Sequence, residues 1–339
     1  MLRTMGKLLA AALLAAFASE AAAQQVTIKL ATMAPAGSSW HRRLQELGER
    51  WGEASGGSVK LRVYPGGVQG SEGDMLRKIL IGQLDAASVS NVGLHDIAPE
   101  PQAVTVPFLF QDGEELERVF ARVRPRLEAA LERRGLVALQ WSQVGQVRFF
   151  CKRPYLTPAE MAHARLFAWD GDPASVEAWR AAGFKPVVLS SLDIVPSLQT
   201  GMIDCLANVP VYVLAAHIFD QARYMIDVPW GQVEGVTVVT MRAWERIPAG
   251  LRPRLLEIAR DLGRRVDADA RDADRDAIAA MRGQGLTILE VEREPWRAAA
   301  EAGWRVVRGK VVPADLFDEV LRIRDEERAA TATSHRDGR

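Results

Sequence analysis

The residues able to do chemistry are spread thinly along this chain. His41, His95, His163, His217 and His335 fall far apart, with no HExxH and no His-rich metal pattern. Cys151 and Cys205 are the two cysteines. Neither has a neighbouring His, so neither reads as a nucleophile. Both read first as small buried residues in strand-like runs, with a disulfide as the alternative. Gly66, Gly67 and Gly70 form a glycine-rich turn, but not GxGxxG between a strand and a helix. No Walker loop and no GxSxG elbow occurs. Asp170 and Asp172 are close together, but Asp-Gly-Asp-Pro is turn chemistry before it is acid–base chemistry. The expectation is therefore no catalytic residue, no metal and no cofactor. What the chain does have is nine tryptophans. Trp51, Trp179 and Trp244 suit a core, whereas Trp40, Trp141, Trp169 and Trp230 fall at expected loop edges. Pockets for organic ligands are mostly apolar and aromatic with a few placed polar groups, so this distribution points to binding.

The elements that must position these residues alternate. Val26 to Ala31 has the period of a strand, and Trp40, Leu44, Leu47, Trp51 and Ala54 make one apolar helix face. Val59 to Val63 is a second strand, Met75 to Leu80 marks a second helix, and Ala86 to Val89 a third strand. This β-α-β-α-β order predicts a parallel sheet with helices on its faces. Ligands of such sheets sit beyond the strands' carboxyl ends, which directs attention to the loops after Ala31, Tyr64 and Val89. A helix through Phe120, Val123, Leu127 and Leu131 precedes a strand from Leu136 to Trp141. A second set of short apolar runs follows: Val147 to Cys151, Arg165 to Trp169, Phe184 to Leu189 and Ile203 to Ala207. They read as a second α/β lobe. After a strand at Val236 to Met241, apolar positions from Leu255 through Val266 and Ala270 to Met281 recur every three or four residues. A helix of that length spans about 45 Å and is long enough to brace two lobes. Thr287 to Val291 reads as a last strand and Pro313 to Arg328 as a last amphipathic helix.

The 339 residues are 48% hydrophobic and 25% charged with zero formal net charge, a globular composition long enough for about two domains. No basic excess exists to neutralise phosphates, which argues against nucleic acid as a partner. Arg3 and Lys7, the apolar run Leu8 to Ala18 and Ala21 to Ala23 read as a secretory signal peptide over residues 1–23, cleaved near Ala23.

With these elements placed, the chain resembles the DctP-type substrate-binding proteins of TRAP (tripartite ATP-independent periplasmic) transporters. The likeness is carried by the stretches Ile28 to Trp40, Tyr64 to Gly70, Ile81 to Ala86, Lys152 to Met161 and Leu198 to Asp204, and by the long helix. It implies an α/β, two-lobe periplasmic-binding-protein-like fold with cross-over strands and a bracing helix. The expected division is residues 24–145 plus 236–283 for lobe I, with the helix at about 252–283. Lobe II takes 146–235 plus 284–330, and 331–339 form a flexible tail. The resemblance further implies a periplasmic protein, not an enzyme, that closes on a small organic ligand and delivers it to TRAP permease subunits. The variant also resembles the branch that works with a periplasmic TPR-repeat protein.

The resemblance departs at its anchor. The family's arginine, which pairs with the solute carboxylate, is replaced by Phe167. Arg148 corresponds to a second family arginine, and Arg165 lies one pleat back from Phe167. Asn208 is kept from the family's Asp-Gly-x-Glu-Asn segment, in which the acid becomes Ala207. The expected cleft is built from Ser38, Ser39, Trp40, Ser90, Asn91, Trp141, Arg148, Phe167, Trp169, Asn208 and Trp230. Two readings of the ligand follow. In one, Phe167 and Trp169 line an apolar site for a hydrophobic or weakly polar solute. In the other, Arg148 or Arg165 takes over and the ligand is an organic acid. The first is preferred, because an aromatic replaces the anchor and a buried unpaired carboxylate would cost several kcal/mol. Alternatives of other classes are an exported sensor or adaptor, and an enzyme using Asp170 and Asp172.

Overall fold

The computed structural model describes residues 25–337 apart from 96, 171 and 172, without the side chains at 173–174, 266–271 and 332–337. The leader read at 1–23 and Asp172 lie outside the described residues, as do the side chains of Val266, Ala270 and His335. In chain order, the first half contains β1 (Val26–Thr32), α1 (Ser39–Ala54), β2 (Val59–Tyr64), α2 (Glu72–Leu80), β3 (Ala86–Ser90), α3 (Gly113–Glu132) and β4 (Leu136–Cys151). Then come α4 (Pro158–Met161), β5 (Arg165–Trp169), α5 (Pro173–Ala181), β6 (Lys185–Leu189), α6 (Ile194–Thr200), β7 (Cys205–Asn208) and α7 (Pro210–Ala215). The chain closes with β8 (Tyr224–Thr240), α8 (Met241–Glu245), α9 (Arg252–Gly283), β9 (Thr287–Leu289), α10 (Arg293–Val306) and α11 (Ala314–Asp337).

The described strands join in one sheet of order β2-β1-β3-β8-β4-β7-β5-β6, with β9 beside β8. β1, β2 and β3 are parallel, as the β-α-β-α-β order requires. β5 is parallel to both β6 and β7. Between these two parallel blocks run β4 and β8, antiparallel to each other. They have 16 and 17 residues, each about 50 Å long, so both traverse the two lobes. The sequence reading broke β4 in two and found only the second half of β8, from Val236. The polar stretch Ser142 to Gln146 looked like a loop, yet it pairs with Gln232 to Gly235 as ladder. Register shifts between Gln143 and Gly145, and between Val147 and Phe149, bend the pair where it passes from one lobe to the other.

Each lobe buries apolar side chains on both sheet faces. In lobe I, one face packs Val89, Val123 and Val238, and the other packs Leu47, Trp51 and Ile258. In lobe II, one face gathers Phe149, Phe184 and Trp296, and the other Phe150, Leu198 and Met225. The long helix α9 falls where its periodicity placed it. It touches α1 in lobe I and α7 in lobe II, so it braces both.

Three expectations change. Cys151 and Cys205 stand directly opposite each other on β4 and β7 and are joined as a disulfide, not left as free buried thiols. The C-terminal part divides between lobes: α10 packs on α5, whereas α11 packs on α3 of lobe I. α11 also continues to Asp337 instead of ending at Arg328, into the stretch 331–339 expected as a flexible tail. Ion pairs from Arg122 to Glu326 and Glu327 hold its outer turns against α3.

Candidate functional site

A cleft of about 500 Å³ opens between the lobes. Its lobe I wall is assembled from the sheet-top loops. Ser38 caps α1 by accepting from the His41 amide at 3.2 Å, and the first turn then presents Ser39, Trp40 and Arg43 to the cleft. The Trp40 Nε1–H donates to Ser88 Oγ at 2.9 Å. Its ring lies over Gly235, where a Cβ would come within 3.1 Å of Trp40 Cη2. Ser88 in turn accepts from Thr237 Oγ1 at 3.1 Å.

Glu72 is the one carboxylate and Arg43 the one guanidinium among the described lining residues. Ser71 and Asp74 form a capping box that starts α2 and fixes Glu72 at its first position. The Glu72 carboxylate accepts from the Ser90 amide at 2.8 Å and from Ser90 Oγ at 2.6 Å. It lies over Gly93, where a Cβ would come 2.2 Å from Glu72 Oε2, so the turn after β3 has room for this carboxylate only because residue 93 is glycine. Burial pushes the Glu72 carboxyl above the usual carboxylate range, and the Ser90 hydrogen bonds partly offset this. Asn91 also lines the cleft, but its amide is committed. Nδ2 donates to Thr105 Oγ1 at 2.7 Å and Oδ1 accepts from the Glu234 amide at 3.2 Å.

The lobe II wall is aromatic. Phe167 and Trp169 stand on β5, two residues apart and therefore on one face of the strand. Trp169 comes close to lobe I: a Cβ on Gly73 would lie 3.9 Å from its Cζ2. Trp230 stacks on Trp179 at 5.4 Å and meets Phe149 edge-on at 5.0 Å. Among the described residues, its buried Nε1–H has no hydrogen-bond partner. Asn208 Oδ1 accepts from the adjacent Val209 amide at 2.8 Å. Tyr212 comes from α7, and burial raises its phenol, with the Glu72 charge adding to the effect.

Nine of the eleven expected residues are thus brought to one cleft: Ser38, Ser39, Trp40, Ser90, Asn91, Phe167, Trp169, Asn208 and Trp230. Trp141 is not. A register shift between Ala138 and Gln140 reverses the alternation of β4, so Trp141 turns into the lobe I core and meets Phe120 edge-on at 5.4 Å. Arg148 does not reach the cleft either. It lies 3.4 Å from Asp227 and donates to Gln146 Oε1 at 3.2 Å, and burial lowers its pKa against the opposing pull of Asp227. Arg165 begins β5 at the end away from the cleft. There it forks onto Asp204 through two 2.9 Å hydrogen bonds and holds that carboxyl below the usual range. Asp170 is exposed and lies outside the cleft lining.

Sequence reasoning missed Arg43, Glu72, Trp179, Tyr212 and Trp304, all of which line the cleft. Arg43 was within reach, because it follows Ser39 by one helical turn on the same face. Glu72 directly follows the loop after β2, one of the sheet-top loops. Trp304 went unread with α10, although Trp296, Ala300, Gly303 and Val307 keep helical spacing around it.

Residues 30–310 match the family model described as bacterial extracellular solute-binding protein, family 7. The C4-dicarboxylate-binding periplasmic protein DctP of Vibrio cholerae is 22% identical over 279 residues, covering 81% of this chain and 83% of the relative. The 2,3-diketo-L-gulonate-binding periplasmic protein YiaO of Escherichia coli is 22% identical over 312 residues, 91% of this chain and 94% of that one. Among solved structures, a TRAP periplasmic solute-binding protein of Xanthobacter autotrophicus with bound β-D-galacturonate superposes with a TM-score of 0.82 at 17% identity, covering 88% of this chain and 99% of that one.

Proposed function

The chain belongs to family 7 of the bacterial extracellular solute-binding proteins, and on that premise we propose that it captures a hydrophobic or weakly polar organic solute by lobe closure in the periplasm. It then hands the solute to a TRAP-type secondary transporter. Proteins of this family bind rather than turn over their ligands, and no described helix is long and apolar enough to cross a membrane.

One observation carries the ligand preference: Arg148 and Arg165, the two candidates to replace the missing anchor, are both bound to aspartates outside the cleft. The position of the anchor itself holds Phe167, and Trp169, Trp179 and Trp230 line the same cleft. A carboxylate shut into that wall would lose water without gaining a bidentate partner, at a cost of several kcal/mol. Arg43 supports a second reading. It lines the lobe I side beside Ser39 and pairs with Glu46 at 2.9 Å, so an acid held from that wall is the competing outcome.

Ligand-retaining purification followed by mass spectrometry tests both. A neutral or weakly polar guest supports the proposal, and tryptophan fluorescence should respond to it. Recovery of a uronate or dicarboxylate, with affinity lost on Arg43→Ala, would replace it with the second reading.

A further inference from the structure

The cleft lining divides by the elements that carry it. One set comes from the sheet-top loops of both lobes and holds the polar groups Ser38, Glu72, Ser90, Asn208 and Tyr212. The other comes from the segment after the short 3-10 turn Glu100–Val104, from α5, from α10 and from the turn beyond it. This second set presents mainly carbon: Pro107, Ala178, Ala182, Ala300, Val307 and Val311. Trp304 adds an indole whose N–H is already spent on the Pro107 carbonyl at 2.9 Å. The small residues let the helices meet closely, since a Cβ on Gly303 would come 3.2 Å from the Ala178 carbonyl oxygen. Between the two sets stand Val147 and Trp230, also apolar at the cleft surface.

A compact polyhydroxy acid would find few partners in this second region, because its polar side chains Gln102, Thr105 and Ser175 are already hydrogen-bonded to one another or to Asn91. From this continuity we infer that the ligand is an amphiphile: a small polar head among the sheet-top loops and an apolar tail of several carbons in the rear chamber, under the α10–α11 strap. The inference rests on the proposed function and deepens it. An apolar tail in the chamber would gain affinity with each methylene removed from water.

The test titrates the full mature chain with ω-phenylalkan-1-ols carrying two to six methylenes, read by tryptophan fluorescence and calorimetry, with D-glucuronate as the short polar comparator. Kd should fall about fourfold per added methylene until the chamber is full. Ala182→Phe, which fills the chamber, should stop that fall, so that Kd no longer depends on chain length. If Ala182→Phe proves destabilised, Val307→Phe carries the same comparison. A Kd indifferent to chain length overturns the inference, as does an equally steep fall in the filled variant. Binding of D-glucuronate without any phenylalkanol overturns it while leaving the container reading intact. Binding of no probe, by a protein that also purifies empty, overturns both.

Discussion

The two walls of the cleft are built on different principles. On the lobe I side, most polar side chains are already occupied. Trp40 is tied to Ser88, Glu72 to Ser90, and Asn91 to Thr105 and Glu234. On the lobe II side, Phe167, Trp169, Trp179 and Trp230 offer ring surface, and the Trp230 N–H has no partner among the described residues. A wall of committed hydrogen bonds keeps its shape with or without a guest. A wall of aromatic faces gains mostly when something covers it. Damage to the first wall should therefore appear as lost stability, and damage to the second as lost affinity.

The largest expected effect is on the first wall. Glu72→Ala removes both acceptors of Ser90 and the support of the turn at Gly93, and should cost about 2–3 kcal/mol of stability. A melting temperature equal to wild type would break the contrast. Trp169→Ala should do the opposite, weakening ligand binding about 30-fold, or about 2 kcal/mol, with little change in melting. Thermal shift measured beside calorimetry separates the two outcomes. Phe167→Arg sharpens the comparison by giving the second wall a guanidinium, and should improve the affinity for D-glucuronate about tenfold. No gain would mean that position 167 does not face bound ligand.

The smallest effect lies between the walls. Asp274 on α9 accepts from the Gln146 amide at 2.8 Å, beside the bend of β4, and burial raises its pKa to about 6. A carboxyl raised in the folded state favours folding when protonated. Its contribution is full below the unfolded value of 3.8, falls as pH rises to about 6, and is flat above. Asp274→Asn should remove that slope. After allowance for partial exposure, it should raise stability at pH 7 by about 1 kcal/mol relative to wild type. Denaturant melts of both proteins from pH 4 to 8 provide the check, and parallel curves would count against it.

How much of this was legible depended on whether the deciding feature was local. The β1–α1–β2–α2–β3 unit and α9 announced themselves through period two and period 3.6, because one face of each is buried. The loops after β1 and β3 were legible because parallel strands fix where a ligand sits. Trp141 was misplaced because a single extra residue at Leu139 reverses strand parity, and no side chain there signals it. The continuity of β4 was hidden for a related reason: Ser142 to Gln146 is mostly polar yet paired with β8 on both sides of Val144, so hydropathy drew a loop where hydrogen bonding makes a strand. The disulfide needed the register of β4 against β7, which pattern alone does not supply. The α10 helix was missed although Trp296, Ala300, Gly303 and Val307 follow helical spacing, and with it went the rear half of the cleft.

The unbroken passage of β4 and β8 through both lobes has a mechanical consequence. The halves are not tethered by slack cords that let them wander. They share a laminated leaf spring whose laminae are stitched by backbone hydrogen bonds, and Cys151–Cys205 rivets one end of β4 to β7. Such a spring would flex along one path and return along it, so the proposed closure would bring the same faces together each time.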